Sequence, residues 1–511
     1  MRLLLLSTYE LGHQPLGIAG PARVLGVAGH ELRGRDLAVE QLHHDDLSWA
    51  DAVVCSVPMH TALRLALGVL RSVRASRPEM PIALHGLYAP VGASALRDGD
   101  LAVAGDADGT LLEWAFSIGD PATPESPHGP VVRVEIGRRG SLIRTARDAP
   151  GDRHATTVAC ASGDGRSAPV RDVGACGLPD RTVVPPLDRY TRLVGCGPDR
   201  LVGAVEASRG CSHRCRHCPV PTVYDGRTRA VPVEDVLADV AQLVAAGAEH
   251  IHLCDPDFLN RPQHASRVVA ALHADFPGVS FDATVKVSHI LAHGDVIAQM
   301  GASGCSFVVS AFESTSATVL ERLDKGHTAA EAGEAVAVLR RAGIEPRPSF
   351  LPFTPWTSRE DLVELMDFVA RHDLVDSVDA VQYGIRLLLP PGSLLLRDPD
   401  PVLASALGDF DPDALGWTWR SPDPLLDTLQ DAIAVETERA ACHGWTPGEA
   451  YAVVRAAVFD MLGRADPGLP TVVSASGAMQ RPRLSEAWFC CAEPTARQLG
   501  AVRDGMLTTS S

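Results

Sequence analysis

The first part of the chain alternates apolar runs with amphipathic segments. The run RLLLLST precedes a helical pattern through IAGPARVLGVAG, and the run DAVVCSVP precedes a helical stretch over residues 61–75 and the strand-like PIALHGLYAP. Apolar strands separated by amphipathic helices predict a parallel sheet with helices on both faces. We therefore predict a doubly wound α/β domain over residues 1–120.

A second alternating segment begins near residue 201 and is more regular. Its strand-like runs are LVGAVEAS, EHIHLCD, VSFDATV, GCSFVVSAF, EPRPSFLPF and VDAVQYGIRLLL. Its main helical stretches cover residues 233–246, 262–275, 329–342 and 358–371. Thr357 and Glu360 form a helix start signal for the last of these stretches. Six strand–helix units predict a partial (β/α)6 barrel over residues 201–395, with its chemistry on the loops after the strands.

Two regions lack this alternation. Residues 121–200 are rich in glycine, proline, aspartate and arginine, which predicts a loop-rich connector. Residues 396–511 contain acidic, alanine-rich helical stretches and then a tail with the sequence WFCCAEPTAR. The predicted fold class is therefore α/β, with a doubly wound N-terminal domain, a partial barrel and a helical C-terminal extension.

Charge and hydropathy narrow the class of protein. Lysine and arginine (46) are outnumbered by aspartate and glutamate (63), which gives a net charge of −17. This balance disfavours a nucleic acid as the main partner, because such proteins need a basic face. The initial run LLLL is far shorter than the roughly 20 apolar residues of a membrane span, and Glu10 and His13 interrupt it as a signal peptide. We expect a cytoplasmic protein without a membrane segment.

Five of the twelve cysteines form two groups, and the others are single and expected to be buried. Cys211, Cys215 and Cys218 lie in ASRGCSHRCRHCPVP, with the spacing CxxxCxxC, directly after the first predicted barrel strand. Three thiolates within eight residues can converge on a zinc ion or an iron–sulfur cluster. Zinc needs a fourth ligand, such as His213 or His217, whereas a 4Fe–4S cluster would keep one iron open to an outside ligand.

This loop resembles the signature of the radical S-adenosylmethionine (radical SAM) enzymes, and the resemblance covers roughly residues 185–395. It implies that the three cysteines hold a 4Fe–4S cluster and that S-adenosylmethionine (SAM) binds the open iron through its amino and carboxylate groups. It also implies a reductant protein that supplies one electron, and a 5′-deoxyadenosyl radical that abstracts hydrogen from a small-molecule substrate. In such enzymes the cofactor supplies the chemistry, and the protein tunes the reduction potential and excludes water.

The same resemblance implies a set of SAM contacts on residues near the ends of the predicted strands: His217, Asp255, Asp257, Lys286, Ser310, Glu313 and Arg347. His217 takes the place of the residue that lies by the adenine. Carboxylates suit the ammonium group of SAM, and cationic side chains suit its carboxylate. Four of these residues could instead have a purely structural role: a helix cap or turn for Asp255 and Asp257, a solvated side chain for Lys286, and an internal ion pair for Arg347.

A doubly wound domain ahead of such a barrel resembles the cobalamin-binding domain of cobalamin-dependent radical SAM enzymes. The segment PLGIAGPARVLGVAGHELRGRDL has the Pro-Leu-Gly start and the Gly-His-Glu turn that are common there. The usual cobalamin loop, Asp-x-His-x-x-Gly, is replaced by Glu10, Leu11, Gly12 and His13. Three alternatives stay open: cobalamin with His13 as cobalt ligand, cobalamin without it, and a domain that has lost the cofactor.

The tail carries an adjacent pair, Cys490 and Cys491. By chemistry alone the pair is half-buried packing, a strained disulfide, or two thiols that bind a soft element. WFCCAEPTAR, together with SFLPFTPWT and RLLLPPGSLLL upstream, resembles the CUAEP/CCAEP-tail radical SAM proteins, in which selenocysteine can replace the second cysteine. The resemblance implies a catalytic or substrate-binding role for the pair, on a small-molecule or soft-element substrate.

Two other functions remain compatible with the sequence. One is a cobalamin-dependent radical SAM methyl or alkyl transferase whose tail is only structural. The other is a non-catalytic iron–sulfur or cobalamin sensor. The polar residues after the second, third and fourth barrel strands favour an enzyme, because a sensor does not need SAM contacts.

Overall fold

The computed structural model describes residues 1–119, 177–195, 197–468 and 481–486, together with short strands at 133–136, 142–145, 157–160 and 506–508. The N-terminal elements are β1 (Arg2–Ser7), α1 (Leu16–Val27), β2 (Glu31–Asp36), β3 (Leu42–His43), α2 (His44–Trp49), β4 (Ala52–Ser56), α3 (His60–Ser76), β5 (Ile82–His85), α4 (Ala89–Gly92), β6 (Leu101–Ala104), α5 (Asp108–Gly119), β7 (Arg133–Ile136), β8 (Leu142–Thr145) and β9 (Thr157–Cys160).

The N-terminal sheet is parallel, with the strand order β2-β1-β4-β5-β6-β9. Its central strand β1 is buried on both faces, because alternate side chains of a strand point to opposite sides. Leu4 and Leu6 pack with residues of α3, and Leu3 and Leu5 pack with residues of α1 and α5. Helices therefore cover both faces, and the predicted doubly wound sheet is confirmed.

The second domain contains the elements β10 (Arg192–Val194), β11 (Arg200–Val205), β12 (Ser208–Gly210), α6 (Val220–Tyr224), β13 (Thr228–Ala230), α7 (Val233–Ala245), β14 (His250–Leu253), α8 (Pro262–Asp275), β15 (Ser280–Thr284), α9 (Val287–Ala292), α10 (Gly294–Ala302), β16 (Cys305–Glu313), α11 (Ala317–Arg322), α12 (Ala329–Arg341), β17 (Glu345–Phe350) and α13 (Arg359–Arg371). Its sheet has the order β17-β16-β15-β14-β11-β10-β20, in which β11, β14, β15, β16 and β17 are parallel neighbours. The last strand, β20 (Arg483–Leu484), runs antiparallel to β10. The curled, partial barrel is confirmed.

The prediction of a sixth barrel strand is wrong. Residues 378–389 contain the 3₁₀ helix Ala380–Tyr383. They pair with the segment that follows β17 through an isolated bridge between Phe353 and Arg386. Pro346 and Pro348 lie in β17 and have no backbone N–H to donate, and proline within a sheet is confined to edge strands. The outer edge of β17 therefore cannot form a regular ladder with a sixth strand.

The start of α13 also differs from the prediction by one residue. Ser358, not Thr357, caps the helix, and Asp361 completes the capping box instead of Glu360. Thr357 instead donates through its hydroxyl to the Pro352 carbonyl, at 2.9 Å.

The C-terminal part is mostly helical, as predicted. Its elements are α14 (Leu394–Arg397), α15 (Pro401–Ala406), the hairpin β18 (Leu407–Asp411) and β19 (Gly416–Trp419), α16 (Pro424–His443), α17 (Pro447–Met461), β20, and β21 (Met506–Thr508), which pairs with β3. Short 3₁₀ helices lie at Ala93–Ala95, Arg181–Val183, Leu187–Arg189, Phe258–Asn260, Val375–Ser377 and Ala380–Tyr383. No helix among the described residues combines the length and apolar character that a membrane span requires.

The described part of the connector, residues 177–195, joins the two domains. Arg181 forms an ion pair with Asp239 of α7 at 2.8 Å and donates to the Gln14 side-chain oxygen at 2.8 Å. Gln14 in turn donates to the Pro185 carbonyl. These contacts fix the loop after β1 against the first units of the barrel.

Candidate functional site

The three clustered cysteines lie on the loop between β12 and α6. Gly210 begins the loop with φ +79°, and a Cβ there would lie 2.3 Å from the Arg227 carbonyl oxygen, so only glycine suits this position. Cys215 is buried, Cys211 and Cys218 are partly exposed, and none of the three forms a disulfide within the part of the chain that the structure describes. Three unlinked thiols on one tight loop form a donor set that suits an iron–sulfur cluster.

Asp255 holds the base of this loop. Its carboxylate accepts hydrogen bonds from the Ala207 backbone N–H at 3.0 Å and from the Ser208 hydroxyl. Burial raises the pKa of Asp255 to about 7, against the effect of these donors. The structure thus places Asp255 under the strand that leads into the cysteines. Asn260, which the sequence did not single out, accepts from the Ser212 backbone N–H at 3.0 Å.

His217, Glu313 and Lys325 form a buried charged group beside the loop. Glu313 accepts from Lys325 Nζ at 3.1 Å and lies 3.1 Å from His217 Nε2. Burial alone would raise the pKa of Glu313, but the Lys325 charge and His217 hold it well below its usual range. Burial also opposes the charge of Lys325, yet Glu313 and the thiols of Cys215 and Cys218 raise its pKa.

The backbone around this group is specialised. Glu313 has a left-handed φ of +62° at a β-bulge in β16. On the other side, the Arg216 backbone N–H donates to the Leu323 carbonyl at 2.9 Å, which joins the cysteine loop to the turn that carries Lys325. The sequence predicted Glu313 and His217 but missed Lys325, since only the folded chain brings this turn to the loop.

Asp257 and Lys286 belong to a second polar group with two histidines. The carboxylate of Asp257 lies 2.7 Å from His289 Nδ1 and 3.6 Å from His213 Nε2, and Lys286 Nζ lies 3.1 Å from His213 Nδ1. Burial and then Lys286 lower the pKa of His213 to about 4. The atoms of His213, Asp257 and His289 are close enough to share a metal ion, but the Lys286 ammonium group adjoins them. Hydrogen bonds join His213 to His289 and to Lys286, whereas Asp257 Oδ2 and His289 Nδ1 are close in space without a hydrogen bond.

The described contacts join neither Ser310 nor Arg347 to these groups. Ser310 lies on the same side of β16 as Val308 and Phe312, which pack in the core shared with the helices, so its side chain faces the helical layer. Arg347 is buried and pairs with Asp379 at 2.7 Å. The SAM contacts that the sequence predicts for Ser310 and Arg347 therefore stay predictions.

A pocket lies where the N-terminal domain meets the cysteine loop. It is lined by residues after β5, by the cysteine loop and by the segment before α14: Leu87, Tyr88, Pro90, Val91, His217, Cys218, Pro219, Thr222, Val223, Pro390, Pro391 and Ser393. Its walls are mostly apolar, yet His217 Nδ1 and the Ser393 hydroxyl are buried without a hydrogen-bond partner.

Glu10 and His13 do not line this pocket. The Glu10 carboxylate accepts from the Gly17 N–H at 3.1 Å, near the start of α1, and from the Ser56 hydroxyl at 3.2 Å, and burial raises its pKa to about 8. His13 stacks on His252 of β14, with ring centroids 4.3 Å apart. Burial lowers the pKa of His13 well below its usual value. His13 thus packs between the domains, and its Nδ1 is buried without a hydrogen-bond partner.

Cys490 and Cys491 lie outside the described residues. The segment just before them is described and lies at the junction of the two domains. The Glu486 side chain lies against Gly12, and the Glu486 backbone N–H donates to the Thr191 hydroxyl at 3.1 Å.

Comparison with known proteins shows which proteins this chain is similar to. Residues 205–369 match the family model of the radical SAM superfamily. This segment includes the cysteine loop, Asp257, Lys286, Glu313 and Lys325. The predicted resemblance to the radical SAM superfamily is therefore confirmed over this segment.

Similar curated proteins share this domain. An uncharacterized methyltransferase of Pyrococcus horikoshii is 26% identical over 189 residues, which cover 37% of this chain and 40% of that protein. The ribosomal protein uS12 methylthiotransferase RimO of Desulfosudis oleivorans is 28% identical over 207 residues, covering 38% and 46%. The chain thus spans less than half the length of these relatives.

Solved structures show the same fold over much more of the chain. OxsB, a cobalamin-dependent SAM radical enzyme solved with aqua-cobalamin and SAM, gives a TM-score of 0.61 at 13% identity, covering 84% of this chain and 66% of OxsB. The radical SAM methyltransferase TsrM from Kitasatospora setae gives a TM-score of 0.56 at 17% identity, covering 99% of this chain and 96% of TsrM. The arrangement of a doubly wound domain before a partial barrel is therefore a fold that this chain shares with OxsB and TsrM.

Proposed function

We propose that this protein is a radical SAM enzyme that reductively cleaves SAM and modifies a small-molecule substrate. The observation that carries the proposal is the loop with Cys211, Cys215 and Cys218, which presents three thiols without a disulfide inside the segment that matches the radical SAM superfamily. When bound there, a 4Fe–4S cluster supplies the electron that splits the SAM sulfonium into methionine and a 5′-deoxyadenosyl radical. The remaining steps depend on the protein's own side chains.

The charged groups around the loop suit the two ends of the amino acid part of SAM. Lys286 and Lys325 are cations close to the loop, and Asp257 and Glu313 are carboxylates beside them. Cationic side chains bind a carboxylate and carboxylates bind an ammonium group most strongly where water is excluded. His217 and the apolar pocket walls shield this side of the loop from solvent.

The test is release of 5′-deoxyadenosine. Protein reconstituted with iron and sulfide, then mixed with dithionite and SAM, should release 5′-deoxyadenosine in a chromatographic assay, and omission of dithionite should abolish the release. A protein with full iron and sulfide content that releases none would refute the enzyme proposal and leave the sensor alternative.

A second candidate function is that of a cobalamin-dependent methyl or alkyl transferase. It is favoured by the pocket, which lies beyond the carboxyl end of β5, where ligands of doubly wound sheets bind. The apolar walls suit a corrin face, and His217 Nδ1 and Ser393 can bond polar side groups of the cofactor. Cobalamin, when bound, would carry the transferred methyl group. Because His13 stacks on His252, cobalamin would be held without that ligand.

Filling the pocket should block cobalamin. We expect wild-type protein to retain hydroxocobalamin through gel filtration, as seen in its visible spectrum, and Val91→Trp to retain several-fold less because indole fills the space beside Tyr88. Val435→Trp is the matched control, since Val435 is 57% exposed on α16. If the wild type retains none, the N-terminal domain only caps the barrel.

We also propose that Cys490 and Cys491 bind a substrate or intermediate, because Glu486 brings the chain to the domain junction just before them. Cluster-loaded protein should bind one equivalent of phenylarsine oxide, a reagent for neighbouring thiols. Cys490→Ser/Cys491→Ser should bind none. Equal binding by both proteins would remove the soft-element clamp from consideration.

A further inference from the structure

The concave side of the partial barrel carries polar side chains that the proposed function does not use. In β14, Ile251 and Leu253 pack in the core shared with the helices. His250 and His252 alternate with them, so both imidazoles point to the concave side. Asp282 of β15 is the register partner of His252 and points the same way. We call this side, defined by His250, His252 and Asp282, the lumen.

The Asp282 carboxylate joins the two histidines of the lumen. Asp282 is fully buried and accepts hydrogen bonds from His252 Nδ1 at 2.7 Å and from His250 Nε2 at 2.8 Å. Burial alone would raise the pKa of Asp282, but the His252 charge and both hydrogen bonds hold it well below its usual range. Because the ionised carboxylate only accepts, a proton of His252 is fixed on Nδ1, and Nε2 is the nitrogen that can take up another.

The lumen is open beside His252. The side chain of His252 is 15% exposed, and no hydrogen bond joins its Nε2 to another residue that the structure describes. One layer nearer the carboxyl ends of the strands, Thr284 and Val309 are partly exposed, whereas Ala283 and Val308 on the helical side are fully buried. The accessible surface therefore lies on the inner side of the sheet, next to His252.

His13 of the N-terminal domain packs against the same imidazole. Its ring stacks on that of His252 with the centroids 4.3 Å apart and an angle of 5° between the planes. Burial, and then the charge of His252, lower the pKa of His13 well below its usual value, so His13 stays neutral. Its Nδ1 is buried without a hydrogen-bond partner within the described residues. A molecule bound in the lumen could supply that missing bond.

We infer that His252 is the base that removes a proton from the substrate, with Asp282 as its positioning residue. The inference rests on the proposed function for the presence of a substrate near the cysteine loop, whose base is held by Asp255, three residues after His252. In this step the Nε2 lone pair forms an N–H bond, a bond from hydrogen to the substrate breaks, and its electron pair stays on the substrate. The step needs no oxidant or reductant.

The two histidines of the lumen differ in a way that favours this role. Both nitrogens of His250 are hydrogen-bonded, to Asp282 and to the Ser280 hydroxyl, as expected for a structural residue. His252 has one nitrogen held by a carboxylate and the other beside accessible space, which is the arrangement of an oriented general base. Burial lowers the pKa of His252, but Asp282 raises it above its ordinary value, which suits proton removal near neutral pH. The substrate class is therefore a small molecule with an acidic hydrogen on nitrogen or carbon.

The experiment uses 5-nitrobenzisoxazole, an uncharged compound whose ring opens to a coloured nitrophenolate when a base removes its carbon-bound proton. Cluster-loaded full-length protein should accelerate the opening over buffer, and His252→Gln should lower that acceleration by about 100-fold. His443→Gln is the matched control, because His443 is exposed at the end of α16. The control should keep the wild-type rate, and both variants should keep the wild-type iron content.

Asp282→Asn distinguishes positioning from packing. The titratable groups around His252 are Asp282 of β15, Asp255 after β14, His250 on the same strand and His13 after β1. A base works in its unprotonated form, so the wild-type rate should rise with pH through a midpoint above the ordinary value of 6.5. Without the Asp282 charge the midpoint should move to lower pH. A change in rate without that movement would mean that Asp282 has only a packing role.

Neither the cluster nor SAM takes part in the ring opening, so the two proposals fail separately. A wild-type rate equal to that of buffer, or one that His252→Gln leaves unchanged, overturns the base. If His252→Gln does not fold, the midpoint of Asp282→Asn decides alone. Protein that opens the ring through His252 but releases no 5′-deoxyadenosine with dithionite and SAM refutes the proposed function and retains the base.

Discussion

Replacing Cys215 by alanine is expected to abolish 5′-deoxyadenosine release. Cys215 is the most buried of the three clustered cysteines, with an exposed fraction of 8%. A 4Fe–4S cluster that keeps one iron for SAM needs all three thiolates, and the loop offers no fourth. Iron and sulfide content after reconstitution should fall to background, and 5′-deoxyadenosine should fall by more than about 100-fold, because loss of even an outer-shell partner of a ligand costs about 10- to 100-fold.

Cys442→Ala is the control for this experiment. Cys442 is exposed on α16, far along the chain from the radical SAM domain, and its thiol is also free. This variant should keep the iron content and the 5′-deoxyadenosine yield of the wild type. If Cys215→Ala instead retains cluster and cleavage, His213 or His217 must replace the missing thiolate, and the three-cysteine assignment is wrong.

The fold was predictable wherever local pattern and global fold agree. The helix over residues 262–275 was predicted with its observed bounds, because proline at its start and an apolar stripe act in the same direction. The sixth barrel strand failed for a reason outside its own sequence. Its apolar run reads as a strand, but Pro346 and Pro348 of the neighbouring strand remove the donors that it would need.

The candidate site was predictable where chemistry is local in sequence. Three cysteines on one loop require no tertiary contact to be recognised. Lys325 was missed because its importance arises only from burial against Glu313, 12 residues earlier in the chain. For Ser310 the alternation of β16 was available from the sequence, since Val308 and Phe312 share its side of the strand and are apolar. Its position on the helical face follows from that alternation.

Replacing Lys325 by methionine is expected to destabilise the protein and to make the cluster harder to reduce. Lys325 and Glu313 are almost fully buried, and removing one partner leaves an uncompensated charge that costs about 3–5 kcal/mol of unfolding free energy. Losing a positive charge near Cys215 and Cys218 also disfavours the added electron. Denaturant unfolding and a redox titration followed by electron paramagnetic resonance measure the two effects, and the midpoint potential should fall.

The stability difference between wild type and Lys325→Met is expected to depend on pH. In the wild type the pKa of Glu313 is lowered, so its stabilising effect is present above its ordinary value of 4.5 and is lost as the pH falls. Without Lys325 that stabilisation is missing. The stability difference between wild type and Lys325→Met should therefore be largest near neutral pH and shrink as the pH falls below about 4.5.

A second substitution distinguishes the ion pair from simple packing. Adding Glu313→Leu to Lys325→Met removes both charges, so the double variant should recover much of the lost stability. It should also recover part of the midpoint potential, because the uncompensated negative charge next to His217 is gone. If the loss of stability in the double variant instead equals the sum of the losses in Lys325→Met and Glu313→Leu, the two residues act independently. The charged group would then have no part in setting the electrostatics of the cysteine loop.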